Sequence, residues 1–157
     1  MPHFVFMRLL LLMVACSIGA AAQPSNGYVV GGGGVRDSKA LSEGAVGGEW
    51  VIGKGIGVGG EVGFVAGHSG FGEISANAYY HFPTGRRRFD PFVTGGYTAA
   101  ETVGIFGGSR STNCFNAGGG VNFWLVRHFG LRAEVRDIAA PGSSANFLIF
   151  RGGLLFH

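Results

Sequence analysis

Hydrophobic residues recur at every second position through most of this chain. The clearest run is residues 113–137, NCFNAGGGVNFWLVRHFGLRAEVRD. In its first half Phe115, Ala117, Gly119, Val121 and Phe123 share one face, and Asn116, Gly118, Gly120 and Asn122 share the other. In its second half Leu131, Ala133 and Val135 oppose Arg132, Glu134 and Arg136. A period of two is strand patterning, so this run predicts two strands around a turn at Val126, Arg127 and His128.

The same alternation predicts a strand over residues 56–66, with Ile56, Val58, Val62, Phe64 and Ala66 opposite Gly57, Gly59, Glu61 and Gly63. A helix there would hold five glycines between Gly55 and Ala66. At about 0.8–1 kcal/mol each relative to Ala, that costs roughly 4–5 kcal/mol, so strand wins. Residues 72–82 set Ile74, Ala76, Ala78, Tyr80 and Phe82 against Glu73, Ser75, Asn77, Tyr79 and His81. Residues 44–52 set Val46, Trp50 and Ile52 against Glu49, and residues 146–156 set Leu148, Phe150, Leu154 and Phe156 against Arg151. Two more strands, 27–35 and 91–99, carry no face that the pattern assigns. Polar loops are predicted at 36–43, 67–70, 101–112 and 139–145. Tighter turns are predicted at 53–55, at 83–90 and before Phe129.

The two faces differ in size as well as polarity. The apolar face holds the bulky residues; the other holds glycine, small amides and a few charges. A solvated face would set no limit on size, so a small polar face implies a crowded interior with the bulky face turned outward. That inversion, over eight strands of about 9–11 residues, predicts an all-β fold: an eight-stranded antiparallel up-and-down transmembrane β-barrel. The even strand number puts both termini on the short-turn side, which is the periplasmic side of such barrels. Tyr80, Phe82, Phe123, Phe129 and Phe156 gather near that side as an interfacial girdle.

Composition sharpens this picture. Glycine makes up 31 of 157 residues, yet it alternates with Val, Ile, Phe and Tyr, which excludes a low-complexity disordered chain. Residues 1–22 read as a cleaved signal peptide: Arg8, an apolar core from Leu9, then Gly19-Ala20-Ala21-Ala22 before Gln23. Cys16 after Met13-Val14-Ala15 offers lipidation as an alternative, with the Ala-rich site the better match. The barrel domain is then 23–157. Loss of Arg8 lowers the formal charge from +3 to +2, too little and too dispersed for a nucleic-acid partner. Cys114 is the sole cysteine of the processed chain, so it has no internal disulfide partner and reads as a small strand residue.

The chain resembles the OmpA/OmpX-like family of small outer-membrane β-barrel proteins. The resemblance rests on the signal segment, the strand count, Pro91-Phe92-Val93-Thr94-Gly95-Gly96-Tyr97, Gly118-Gly119-Gly120-Val121-Asn122-Phe123-Trp124, and an alternating last strand with a near-terminal aromatic. His157 departs from that pattern by moving the aromatic from the final to the penultimate position. The resemblance implies an outer-membrane protein surrounded by lipid and inserted by the barrel-assembly machinery; a monomer without a cofactor is expected, with nothing resembling a peptidoglycan-binding domain after the barrel. It implies a role in envelope integrity, surface contact through loops, or slight permeability.

Candidate chemistry is confined to the polar face. Glu49, Glu61, Glu73 and Glu134 stand against Arg132, Arg136 and Arg151, with His81 nearby. An eight-stranded barrel is just wide enough for side chains to fill. Buried charges must pair, so these eight residues are expected to form a lumen ion-pair network, with a narrow pore or proton-linked site as the alternative. Residues 48–54 match the spacing of a phosphate-binding loop up to Lys54, but Gly55 stands where Ser or Thr is needed and the middle reads as strand. His68-Ser69 could suggest a barrel enzyme trimming lipid A, yet adjacent residues point oppositely on a strand. No catalytic or metal set is expected. Arg86-Arg87-Arg88 reads as a solvated turn, with anionic head groups or an assembly factor as the alternative partner. The remaining alternative is a soluble secreted Gly-rich barrel binding a small apolar ligand; its exterior would need more charge than 13% of the residues supplies.

Overall fold

Alternating side chains give a sheet two chemically distinct faces, and here the sheet curls until its ends meet. The computed structural model describes residues 25–67, 70–85, 88–103, 109–142 and 146–157. The strands are β1 (Ser25–Arg36), β2 (Lys39–Gly53), β3 (Ile56–Ala66), β4 (Phe71–His81), β5 (Phe89–Val103), β6 (Ser109–Val126), β7 (Phe129–Ala139) and β8 (Asn146–Phe156). Each pairs antiparallel with its neighbour in sequence. β1 closes on β8 from the Gly27–Phe156 pair to the Val35–Leu148 pair, completing an eight-stranded barrel. Closure satisfies every strand edge, which a sheet in hydrocarbon requires.

The exterior is apolar and the interior polar. Among the described residues, Val29, Val46, Val62, Phe64, Phe115 and Phe150 belong to the 23 large apolar residues left exposed, Phe115 at 61%. Inside, again among the described residues, 16 buried polar or charged residues outnumber 11 buried hydrophobic ones. The shortest strands have 11 residues. At about 3.3 Å per residue and a 45° tilt they cover roughly 26 Å, the height of a bilayer's apolar band. One end carries both termini and the β2–β3, β4–β5 and β6–β7 connections. Tyr80, Phe82, Phe123 and Phe156 are exposed toward this end, joined by Phe89. Toward the other end lie Phe64, Tyr97 and Phe115, the last two in edge-to-face contact at 6.0 Å.

Several strands run further than the pattern predicts. Residues 36–43 are not a polar loop. Asp37 and Ser38, at φ of 48° and 63°, form a two-residue turn, and Lys39 to Glu43 pair with β1 or β3. Positive φ at both central positions is the geometry whose twist suits a hairpin. The 101–112 loop is also largely sheet, with Glu101–Ser111, Thr102–Arg110 and Val103–Ser109 in register. Phe89 and Asp90, read as part of a turn, open β5. In the first of these stretches the outward residues Ala40, Ser42 and Gly44 are small, so no bulky apolar face marks the strand. The β2–β3 turn is as predicted: Gly53, Lys54 and Gly55 all hold positive φ. Residues 1–22, Cys16, His68, Ser69, Arg86 and Arg87 lie outside the described residues.

Candidate functional site

The lumen is built from inward positions of all eight strands. β1 and β5, unassigned in the sequence, turn Asn26, Tyr28 and Val30, and Asp90, Phe92, Thr94 and Thr98, inward. Space for these side chains comes from inward glycines. A Cβ at Gly47 would lie 2.5 Å from Tyr28 Oη, and one at Gly63 would lie 3.0 Å from Glu73 Oε1.

Glu49, Glu61, Glu73, His81, Arg132, Glu134, Arg136 and Arg151 all point into this interior, each buried. Arg151 spans the centre. Its two terminal nitrogens meet both Glu61 oxygens at 2.8 Å, Glu43 Oε1 at 3.0 Å and Glu134 Oε1 at 3.1 Å. Arg136 donates to Glu61 at 2.8 Å and, through Nε, to Glu134 at 2.9 Å. Arg132 Nε donates to the other Glu134 oxygen at 3.1 Å, and its Nη1 lies 3.7 Å from Glu49. The Arg132 guanidinium also sits 4.1 Å from the Phe92 ring centroid and 4.4 Å from that of Tyr28, so cation–π contacts add to the ion pairs. Bidentate and stacked arrangements of this kind suit arginine and not lysine.

His81 extends the network, through Glu49, toward the termini end. Its Nδ1 lies 2.8 Å from Asp90 Oδ1 and its Nε2 contacts Glu49 Oε1. Asn122 donates to Asp90 Oδ2 at 3.1 Å. A neutral belt links β4, β5 and β6: Asn116 donates to Asn77 and Thr98 at 2.9 Å each, and Ser75 and Thr98 hydroxyls are 2.8 Å apart.

Glu73 departs from the expected network. Among the described residues it makes no ion pair within 4.0 Å, and neither of its oxygens receives a hydrogen bond. Its carboxylate instead faces those of Glu43 and Glu61, one oxygen of each lying within 4.8 Å of the others. Both neighbours already receive Arg151, so the cations are used before they reach Glu73. The trio is a set of hard oxygen donors of the kind that suits a calcium or magnesium ion, with two of the three taken up by arginine. Glu43 and Asp90 are the members that sequence reading missed, because both lie beyond the strand limits drawn there.

The ionic layer is capped by apolar packing. On the side away from the termini, Cys114, Ile138, Phe147 and Ile149 form a buried cluster with Leu41 and Phe71 against it. Tyr28, Val30, Ala45 and Leu155 form a second, with Trp124 against it. The phosphate-loop spacing of residues 48–54 falls on β2 and its turn, with no helix after it, and Glu49 is committed to His81 and Arg132.

A bulky apolar exterior around a small, ion-paired interior defines a membrane-spanning β-barrel. The chain belongs to the outer membrane protein beta-barrel domain family, whose model matches residues 9–154, and it is an integral outer-membrane barrel. No curated protein matches the sequence. Among solved structures it is similar to the N-terminal β-barrel domain of Pseudomonas aeruginosa OprF, with 18% identity, a TM-score of 0.63, and coverage of 85% of this chain and 98% of that one. Neisserial surface protein A aligns with 11% identity and a TM-score of 0.65 over 84% of this chain and 94% of that one. The outer membrane enzyme PagL aligns with 12% identity and a TM-score of 0.54 over 81% and 97%. At these identities the likeness is one of fold.

Proposed function

We propose that this is a sealed, non-catalytic barrel of the outer membrane, with both termini facing the periplasm, that contributes to envelope integrity and makes surface contacts through its connecting loops. The observation that carries the reading is the filled lumen: three arginines bridge Glu43, Glu49, Glu61 and Glu134 across its width. Apolar clusters lie toward either end. Ions would have to break buried ion pairs to pass, at a cost of several kcal/mol per pair.

A barrel enzyme acting on lipid needs a histidine with one nitrogen free to accept a nucleophile's proton. His81 has a carboxylate on each ring nitrogen. Among the described residues, His81 is thus not available as such a base, which supports the non-catalytic reading.

Reconstitution into planar lipid bilayers tests it. The folded protein is expected to add no stepwise conductance in 1 M KCl, whereas Arg151→Ala, which opens the centre of the lattice, is expected to leak. Regular single-channel steps from the unaltered protein would overturn the sealed reading.

A further inference from the structure

The two ends of the barrel differ in charge. Among the described residues, the end that carries both termini has Lys54, Arg88 and Arg127 in its connections, with Asp90 as the acid beside them. Asp90 is already engaged by His81 and Asn122. The opposite end is balanced, with Arg36, Lys39 and Arg110 against Asp37, Glu101 and Asp137. Arg36 there pairs with Asp37 at 3.6 Å. Lys54, Arg88 and Arg127 are exposed, and among the described residues none has an acid within 4.0 Å.

The placement of these cations indicates what they meet. All three connections at this end carry at least one: Lys54 between β2 and β3, Arg88 between β4 and β5, Arg127 between β6 and β7. The charge therefore runs around the circumference and does not gather on one side. A single docking protein would touch one sector; a lipid leaflet surrounds the whole barrel. The exposed rings of Tyr80, Phe82, Phe89 and Phe123 lie just inside this rim, which is where aromatic side chains mark the head-group level. A hollow of about 680 Å³ beside the β4–β5 connection is lined by Lys54 and by Phe82, Pro83 and Phe89, and also by Asp90, whose carboxylate is held by His81 and Asn122.

We propose that the rim bearing the termini is a binding surface for anionic phospholipid head groups, with Lys54, Arg88 and Arg127 as phosphate contacts. The inference rests on the membrane-spanning barrel and not on the side its termini face. Basic residues at a membrane surface attract anionic lipid over about one Debye length, so the preference is strong at low salt and screened at high salt.

Electron spin resonance of head-group-distinct spin-labelled lipids tests it. The folded protein is placed in phosphatidylcholine bilayers with a trace of labelled phosphatidylglycerol or labelled phosphatidylcholine. The motionally restricted fraction then gives the relative association constant. The expected preference for phosphatidylglycerol is about threefold to fivefold in 20 mM salt, falling toward one in 0.5 M salt. Lys54→Gln, Arg88→Gln and Arg127→Gln combined should at least halve it, and Arg36→Gln with Lys39→Gln at the other rim should leave it unchanged. Equal association of the two lipids, or loss of preference only with the Arg36 and Lys39 pair, overturns the proposal. So does binding of the micellar protein to purified peptidoglycan sacculi through Lys54, Arg88 and Arg127 without lipid preference. A gel shift on boiling, run first, reports insertion separately, so a failure to form the barrel is not mistaken for an absence of lipid binding.

Discussion

Replacing Glu73 by glutamine should preserve or raise stability, while the same change at Glu134 should lower it sharply. Both glutamates are buried at the same depth, 2% and 3% exposed, so burial alone predicts no difference. Their partners differ. Glu134 accepts from Arg132 at 3.1 Å, Arg136 at 2.9 Å and Arg151 at 3.1 Å. Removing its charge leaves three guanidiniums short of a counter-ion, and breaking a buried pair costs about 3–5 kcal/mol. Glutamine keeps one acceptor oxygen, so a loss of about 3 kcal/mol is expected. Glu73 faces two other carboxylates within 4.8 Å and meets no cation. At an effective dielectric of about 20, two unit charges at that separation repel by roughly 3.5 kcal/mol. The arginines on Glu43 and Glu61 offset part of this, leaving a gain of about 1–2 kcal/mol for the neutral side chain. The interior as a whole agrees in sign, since Glu43, Glu49, Glu61, Glu73 and Glu134 outnumber Arg132, Arg136 and Arg151. Both variants would be refolded into short-chain phosphatidylcholine vesicles and unfolded with urea, followed by the fluorescence of Trp50 and Trp124. A Glu73→Gln midpoint that falls as far as that of Glu134→Gln would refute the reasoning, because it would mean that Glu73 carries a counter-ion.

Further expectations come from the same interior. Arg132→Lys should destabilise by about 1–3 kcal/mol in urea titrations, because an ammonium cannot serve Glu134 and Glu49 and also stack on Tyr28 and Phe92; unchanged stability would remove the stacking role. Gly47→Val should cost about 1–3 kcal/mol, since its Cβ would meet the Tyr28 ring, and Tyr28→Ala should relieve most of that loss in the double variant. A nitroxide at Val62 or Phe150 should be relaxed by oxygen and shielded from a water-soluble nickel complex. Water contact at either position would reverse the proposed faces.

The sequence revealed the fold where lipid and lumen impose opposite demands on adjacent residues. β3 and β8 end where alternation ends, at Ala66 and Phe156. Legibility failed for three physical reasons. The first is glycine: Gly31 to Gly34 carry no side chain to assign, so the faces of β1 come from its pairing with β2 and β8. The second is the first part of β2, where the outward residues Ala40, Ser42 and Gly44 are small and give no apolar face to read; Glu43 was hidden there, as a supposed loop residue, although its side chain is buried in the lumen. The third is the apolar cap. Val65, Ile138 and Ile149 are buried in the lumen beside lipid-facing neighbours such as Phe64, Leu148 and Phe150. A strand apolar on both faces shows no alternation. The polar members of the lumen were therefore legible, while the layer that closes over them was not.

In a water-soluble domain, apolar burial supplies most of the drive to fold. Here the bulky residues on the outside leave water for hydrocarbon, a gain that any sequence of similar hydropathy would share. It fixes depth in the membrane without fixing which strand pairs with which. Register must then come from features that tolerate no slip, because a one-residue shift turns every interior side chain toward lipid. Arg151 on β8 touching Glu43 on β2, Glu61 on β3 and Glu134 on β7 is such a feature, since one displaced strand would send charges into hydrocarbon. The lattice that fills the lumen thus also selects the topology, which leaves the rims and loops as the surfaces free to vary with function.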